Sequence, residues 1–156
     1  MKQFFAKILA VFLLVFLTGC VINPDKSFEE ILIDNGIDVI KINVEIADDN
    51  KEREKGLMFR ERLNENDGML FIFDYEEYRT FWMKNTLIAL DMIFIDENLE
   101  INGIVNAVPC REDPCIVYES SKPAKYVLEV NSGFAAKNSI KIGDKIILNK
   151  KVLKQG

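Results

Sequence analysis

From Val39 to Ala47 the chain reads VIKINVEIA, and this alternation constrains the fold more than any other stretch. Ile40, Ile42, Val44 and Ile46 recur at every second position, with Lys41, Asn43 and Glu45 between them. A period of two turns successive side chains to opposite faces of a strand, so one face is expected in a core and the other in water. Just upstream, Asn35-Gly36 separates this run from EEILID and reads as a two-residue hairpin turn. GMLFIF (68–73) is apolar on both faces, as a central strand should be. TFWMKNT, ALDMIFID, LEINGIVNAV, AKYVLEV and KIILNK continue the series. NKEREKGLM, capped by Asp48 or Asp49 and stopped at Gly56, predicts a short helix, and NSGFAAKNS a second. About eight strands with two short helices predict a single, mainly β domain, a sandwich or a small barrel.

The first twenty residues address where such a domain works. Lys2 and Lys7 precede an apolar run from Ile8 to Leu17, and small residues follow. That is the order of a secretory signal. The run is about half of the ~20 residues that a helix needs to cross a bilayer. Leu17-Thr18-Gly19-Cys20 resembles the lipobox of bacterial lipoproteins. In that class the signal is cut before the cysteine, whose sulfur then carries a diacylglycerol. Residues 1–19 thus read as a lipoprotein signal peptide, Cys20 as the lipidation site, 20–28 as a tether and 29–156 as a single β-sandwich domain. An uncleaved membrane anchor is the alternative, and it makes the cysteine after Leu-Thr-Gly a coincidence. Both readings place the body outside the cytoplasm, held to the cell membrane or outer membrane.

Without Lys2 and Lys7, 18 basic residues remain against 25 acidic ones, a net charge of −7. An acidic body is repelled by a phosphate backbone, so nucleic acid is not an expected partner. The chain has no histidine, which removes the usual general base and the commonest transition-metal ligand. Beyond Cys20 only Cys110 and Cys115 remain, in PCREDPC. A structural zinc site needs four ligands, so no metal and no cofactor is expected. In an exported chain such a pair defaults to a disulfide, worth about 2 kcal/mol for so short a loop. Free thiols or a redox pair are the alternatives, although a redox pair is usually Cys-x-x-Cys.

KEREKGLMFRERL, GMLFIF, FWMKNTLIALDMIFID, the VPC…C loop, PAKYVLEVNSG and IKIGDKI occur in this order. Together they resemble the bacterial and archaeal family called domain of unknown function one-ninety-two, also uncharacterised protein family one-twenty-seven. The resemblance runs from Val39 to Leu148, and GLMFR and FWMKNT are its most specific pieces. It implies a compact jelly-roll-like β-sandwich or half-open barrel with one or two short helices, usually in exported or membrane-tethered proteins. It implies no activity and no catalytic residues. Function has to be read from side chains.

TFWMKNT (80–86) holds the only tryptophan. On a central strand, Thr80, Trp82, Lys84 and Thr86 would share one face, and Phe81, Met83 and Asn85 the other. An indole there could stack on a sugar ring while Lys84 meets a carboxylate. The structural alternative packs Trp82 in the core and pairs Lys84 with Asp91. Asp91 interrupts LIALDMIFI, where a carboxylate needs a partner such as Lys84 or Arg60. Arg60, in LMFRERL, has a fork suited to a carboxylate or phosphate. Asn131, in LEVNSG, reads as the cap of the helix that follows. The expected ligand site is therefore Arg60, Trp82, Lys84, Asn85 and Asp91. Its ligand is a small polar or glycan-like molecule, or an envelope protein. A non-catalytic binding module is the first reading, a histidine-free, metal-free hydrolase or lyase using Lys84 and Asp91 the second, and a purely structural domain the third.

Overall fold

The computed structural model describes residues 28–154; the expected signal peptide (1–19), Cys20 and the tether as far as Ser27 lie outside the described residues. β1 (Glu29–Asp34) and β2 (Val39–Ala47) form the antiparallel hairpin that the alternation predicts. Its loop is four residues rather than two. Asn35 is the reason, because its buried side chain organises the loop: Oδ1 accepts from the N–H groups of Ile37 and Asp38 at 2.8 and 2.7 Å. Asx side chains form such turns readily, and Gly36 supplies the positive φ of 77°.

β2 pairs in parallel with β3 (Asp67–Glu77), and β3 pairs with β8 (Ala124–Asn131). Beyond β8 come β5 (Leu90–Ile95) and then β6 (Ile101–Ala107); at the opposite edge β9 (Lys145–Ile147) pairs with β1. The order across this seven-stranded sheet is β6-β5-β8-β3-β2-β1-β9. Its two edges meet at one end, where Ile146 N–H donates to Leu99 O at 2.8 Å and Ile101 N–H to Asp144 O at 2.9 Å. The result is a mainly β, curled half-barrel. A second, two-stranded sheet of β4 (Thr80–Trp82) and β7 (Val117–Glu119) lies apart from it. Two short helices complete the set, α1 (Asn50–Lys55) and α2 (Phe134–Lys137). As the sequence predicts, Asp49 caps α1 by accepting from Glu52 N–H at 2.8 Å, and Gly56 ends it at φ 45°.

Both faces of the sheet are covered, which is why GMLFIF (68–73) on β3 carries no polar side chain. Ile31, Ile42, Val44, Leu70, Ile93 and Leu128 pack inside the curl. Met69, Phe71, Met92, Phe94 and Val127 point outward and are roofed by Leu57, Phe81 and Met83. Phe81 lies edge-on to Phe71 and Phe94, with ring centroids 5.2 and 6.2 Å away, and so fastens β4 over the outer face. The wet face expected for β2 is consequently only partly wet, since Glu45 is buried there. At Gly68 a Cβ would sit 2.7 Å from the Glu129 carbonyl oxygen, so the close approach of β3 to β8 needs glycine. Cys110 and Cys115 are joined in a disulfide, with Cα atoms 5.4 Å apart. Their sulfurs therefore offer no thiolate for the neighbouring Asp113 to complete a metal site.

Candidate functional site

TFWMKNT does not form a central strand. Only Thr80–Trp82 is extended, as the partner of β7, with Trp82 opposite Val117. The alternation points Phe81 and Met83 into the roof and leaves Trp82 outside, 50% exposed, so the indole is not a core residue. Past Met83 the chain turns: Thr86 N–H donates to Met83 O at 3.2 Å, and Asn85 takes a left-handed φ of 58°. Asparagine tolerates that region better than most residues. The carbonyl of Asn85 then accepts Phe59 N–H at 2.8 Å. GLMFR and FWMKNT, the two most specific sequence pieces, thus meet in space.

The five residues expected to form the site are not all brought together. Lys84 holds its Nζ 5.6 Å from the centre of the Trp82 ring and 3.5 Å from Asp113 Oδ2. The Asp113 contact is exposed, worth well under about 1 kcal/mol. Arg60 grips Glu45 with both arms of its fork, at 2.6 and 2.7 Å. Asp91 stands apart, on the inner face of β5. It accepts from Asn106 Nδ2 at 2.8 Å and from Ala135 N–H in the first turn of α2 at 3.0 Å. Neither Lys84 nor Arg60 is among its hydrogen-bond or ion-pair partners. Asn131 does not cap α2 either. It donates to the carbonyls of Leu63 and Asn64, at 3.2 and 2.9 Å, while Gly133 holds the cap position without a side-chain bond.

The residue that the sequence did not single out is Glu129. Strand register aligns Glu45, Met69, Glu129 and Met92 in one row across β2, β3, β8 and β5, all on the outer face. Glu129 is 5% exposed, and burial pushes its carboxyl up to about 8. Among the described residues no side chain or backbone group hydrogen-bonds to it. It lines a recess of about 30 Å³ together with Thr86, Leu57, Phe71, Phe81 and Trp82. Trp82 is also a wall of a shallow groove of about 240 Å³ that it shares with Thr80 and Val117. One half-exposed indole therefore separates an open groove from a recess with a carboxyl group in it.

A third cavity, of about 230 Å³, lies near Arg53, Phe73 and Arg79. Its guanidinium groups are committed to the fold. Arg79 stacks 3.7 Å over Phe73 and donates to the Ala124 and Tyr75 carbonyls and to Glu77. Arg53 donates to Ile72 O at 2.7 Å and to Asp48 O. Burial lowers Arg79 somewhat against the raising effect of Glu77, consistent with a packed structural group.

Comparison with known proteins agrees with this architecture. The profile of DUF192, described as "Uncharacterized ACR", matches residues 31–148. The UPF0127 protein PF1050 of Pyrococcus furiosus is 28% identical over 118 residues, covering 72% of this chain and 92% of that one. A crystal structure from Sinorhizobium meliloti 1021, described as a "putative transcription regulator", superposes with a TM-score of 0.74 at 34% identity; it covers 79% of this chain and 95% of that one. A protein of unknown function from Novosphingobium aromaticivorans DSM 12444 gives a TM-score of 0.72 at 36% identity, covering 77% and 84%. With the profile spanning nearly the whole half-barrel, this chain belongs to the DUF192 family.

Proposed function

We propose that this protein is a lipid-anchored, extracytoplasmic module of the cell envelope that binds a small polar, glycan-like ligand without transforming it. The observation that carries the reading is Trp82: a half-exposed indole between an open groove and a recess containing Glu129 and Thr86. A sugar presents an apolar C–H face and a polar rim, which suits an aromatic platform beside hydrogen-bonding groups. The rigid roof under β4 and the contact between GLMFR and FWMKNT hold that platform in place, which lowers the entropy lost on binding. The anchor rests on Leu17-Thr18-Gly19-Cys20 behind the Ile8–Leu17 run. Transcriptional regulation, the role suggested for the Sinorhizobium relative, does not suit this chain, whose acidic balance opposes phosphate binding.

Two measurements test the reading. Cells expressing the full chain should incorporate labelled fatty acid into it, and Cys20→Ala should abolish incorporation. The full chain in detergent should retain one class of glycan on an array, and Trp82→Ala should lose it. Unlabelled protein in the first assay removes the anchor. An array signal that survives Trp82→Ala removes the binding site.

A further inference from the structure

Glu129 combines three properties: it is buried, its carboxyl has no hydrogen-bond or ion-pair partner among the described residues, and it faces a recess. A buried carboxyl is ordinarily hydrogen-bonded or ion-paired, because an unsatisfied one is costly. Glu45, in the same row, follows that rule through Arg60. Glu129 has only Met69 and Met92 beside it on the neighbouring strands, with Phe81 from β4 lining the same recess. The other charged groups lining the recess are Arg53, Glu54 and Lys55, on α1. Arg53 is taken up by backbone carbonyls, and Glu54 and Lys55 are adjacent, opposite and exposed. Lys84 stands over Trp82 and pairs with Asp113.

The geometry points to this recess as a receptor for a primary ammonium group, so that the ligand carried on Trp82 is an amine-bearing glycan. The assignment rests on the Trp82 reading and narrows it. Size is the first argument. A recess of about 30 Å³ has space for a water or two, hence for a small head group and not for a ring, which must stay outside on the indole. Donor count is the second. An ammonium has three donors and no acceptor, and the recess is lined by three oxygen-bearing side chains, the Glu129 and Glu54 carboxyls and the Thr86 hydroxyl. The walls are the third. Phe71, Phe81 and Trp82 present aromatic rings, which attract a cation and give a neutral hydroxyl nothing comparable.

Proton balance follows from the burial of Glu129. Near neutral pH its carboxyl is protonated in the empty recess. When a charged amine enters, the O–H proton leaves to solvent and the carboxylate pairs with the ammonium: R–NH₃⁺ and Glu–COOH become R–NH₃⁺···Glu–COO⁻ and one released H⁺. No covalent bond in the ligand changes.

The test titrates the full chain in detergent with two probes, the glucosamine tetramer and the N-acetylglucosamine tetramer. The free amine should bind at least about tenfold more tightly, as expected for an added, desolvated ion pair. Calorimetry in buffers of different ionisation heat should show one proton released near pH 6. Affinity for the amine should fall about tenfold per pH unit from 7 to 5, while the acetylated probe stays flat. Glu129→Gln should equalise the two probes and flatten the profile, and Trp82→Ala should weaken both. If the wild-type chain binds both tetramers equally, or Glu129→Gln keeps the preference, the ammonium assignment is overturned and the glycan reading stands. If neither tetramer binds, both fall together.

Discussion

Glu45 and Glu129 occupy the same cross-strand row, separated by Met69, and are almost equally buried at 3% and 5% exposure. Glu45 is closed off by a two-armed ion pair with Arg60. Glu129 has no such partner among the described residues and opens onto a recess. Burial alone therefore does not separate a structural acid from a candidate functional one. The partner does. Glu45 illustrates a charge kept ionised by a matched cation, and Glu129 a charge kept neutral because no cation is supplied from within.

The largest effect expected from breaking this contrast is at Arg60. Arg60→Met removes the two-armed ion pair from the buried Glu45 carboxylate and should cost about 2–4 kcal/mol in denaturant unfolding, discounted for the part of Arg60 that meets solvent. Replacing both partners with Met should recover most of that loss. A double variant no more stable than the single one would show that Glu45 was never held by the pair.

Glu129 should behave in the opposite sense. Its carboxyl ionises near its ordinary value in the unfolded chain and only at about 8 in the fold. Stability is thus greatest in acid, declines as pH rises between those two values, and is level above the higher one. At about 1.4 kcal/mol per tenfold, the total decline is on the order of 4–5 kcal/mol, and Glu129→Gln should remove it. Unfolding free energies at about pH 5 and pH 8 measure this directly. Allowing for the amide's own desolvation, the variant should gain about 1–3 kcal/mol at the higher pH and little at the lower. An unchanged pH dependence would mean that Glu129 is already ionised, and the contrast with Glu45 would disappear.

The smallest stability effect is predicted for Trp82→Ala, within about 1 kcal/mol, because half of the indole is already in water and Phe81 does the fastening. Phe81→Ala, by comparison, should cost about 3 kcal/mol and unroof Phe71 and Phe94. Loss of ligand retention without loss of stability at Trp82 would separate binding from folding.

Much of the fold was legible locally. The hairpin, the cap of α1, the central GMLFIF strand and the disulfide all depend on residues near one another in sequence. The site was legible only in part. Trp82, Lys84 and Asn85 stand out by type, but a run that reads as one strand ends early because Asn85 turns the chain. Asp91 looked like a site residue because a carboxylate in an apolar run is conspicuous; its partners, Asn106 and the Ala135 N–H, are remote in sequence. Glu129 is inconspicuous in the sequence for the converse reason. In AKYVLEV it falls where an alternating strand would show a polar face to water, and nothing local reveals that α1, β4 and their loops cover that face.

The sequence by itself determined the mainly β class and the family motifs, because these reside in periodicity, composition and short-range turn chemistry. Only the tertiary structure decided which polar residues serve the fold and which are left without a partner. Pairing is a property of register and of which segment roofs which face, and both are settled by contacts between residues tens of positions apart. Arg60 reaches Glu45, no hydrogen-bond or ion-pair partner among the described residues reaches the Glu129 carboxyl, and that difference is what turns a strand glutamate into a candidate site.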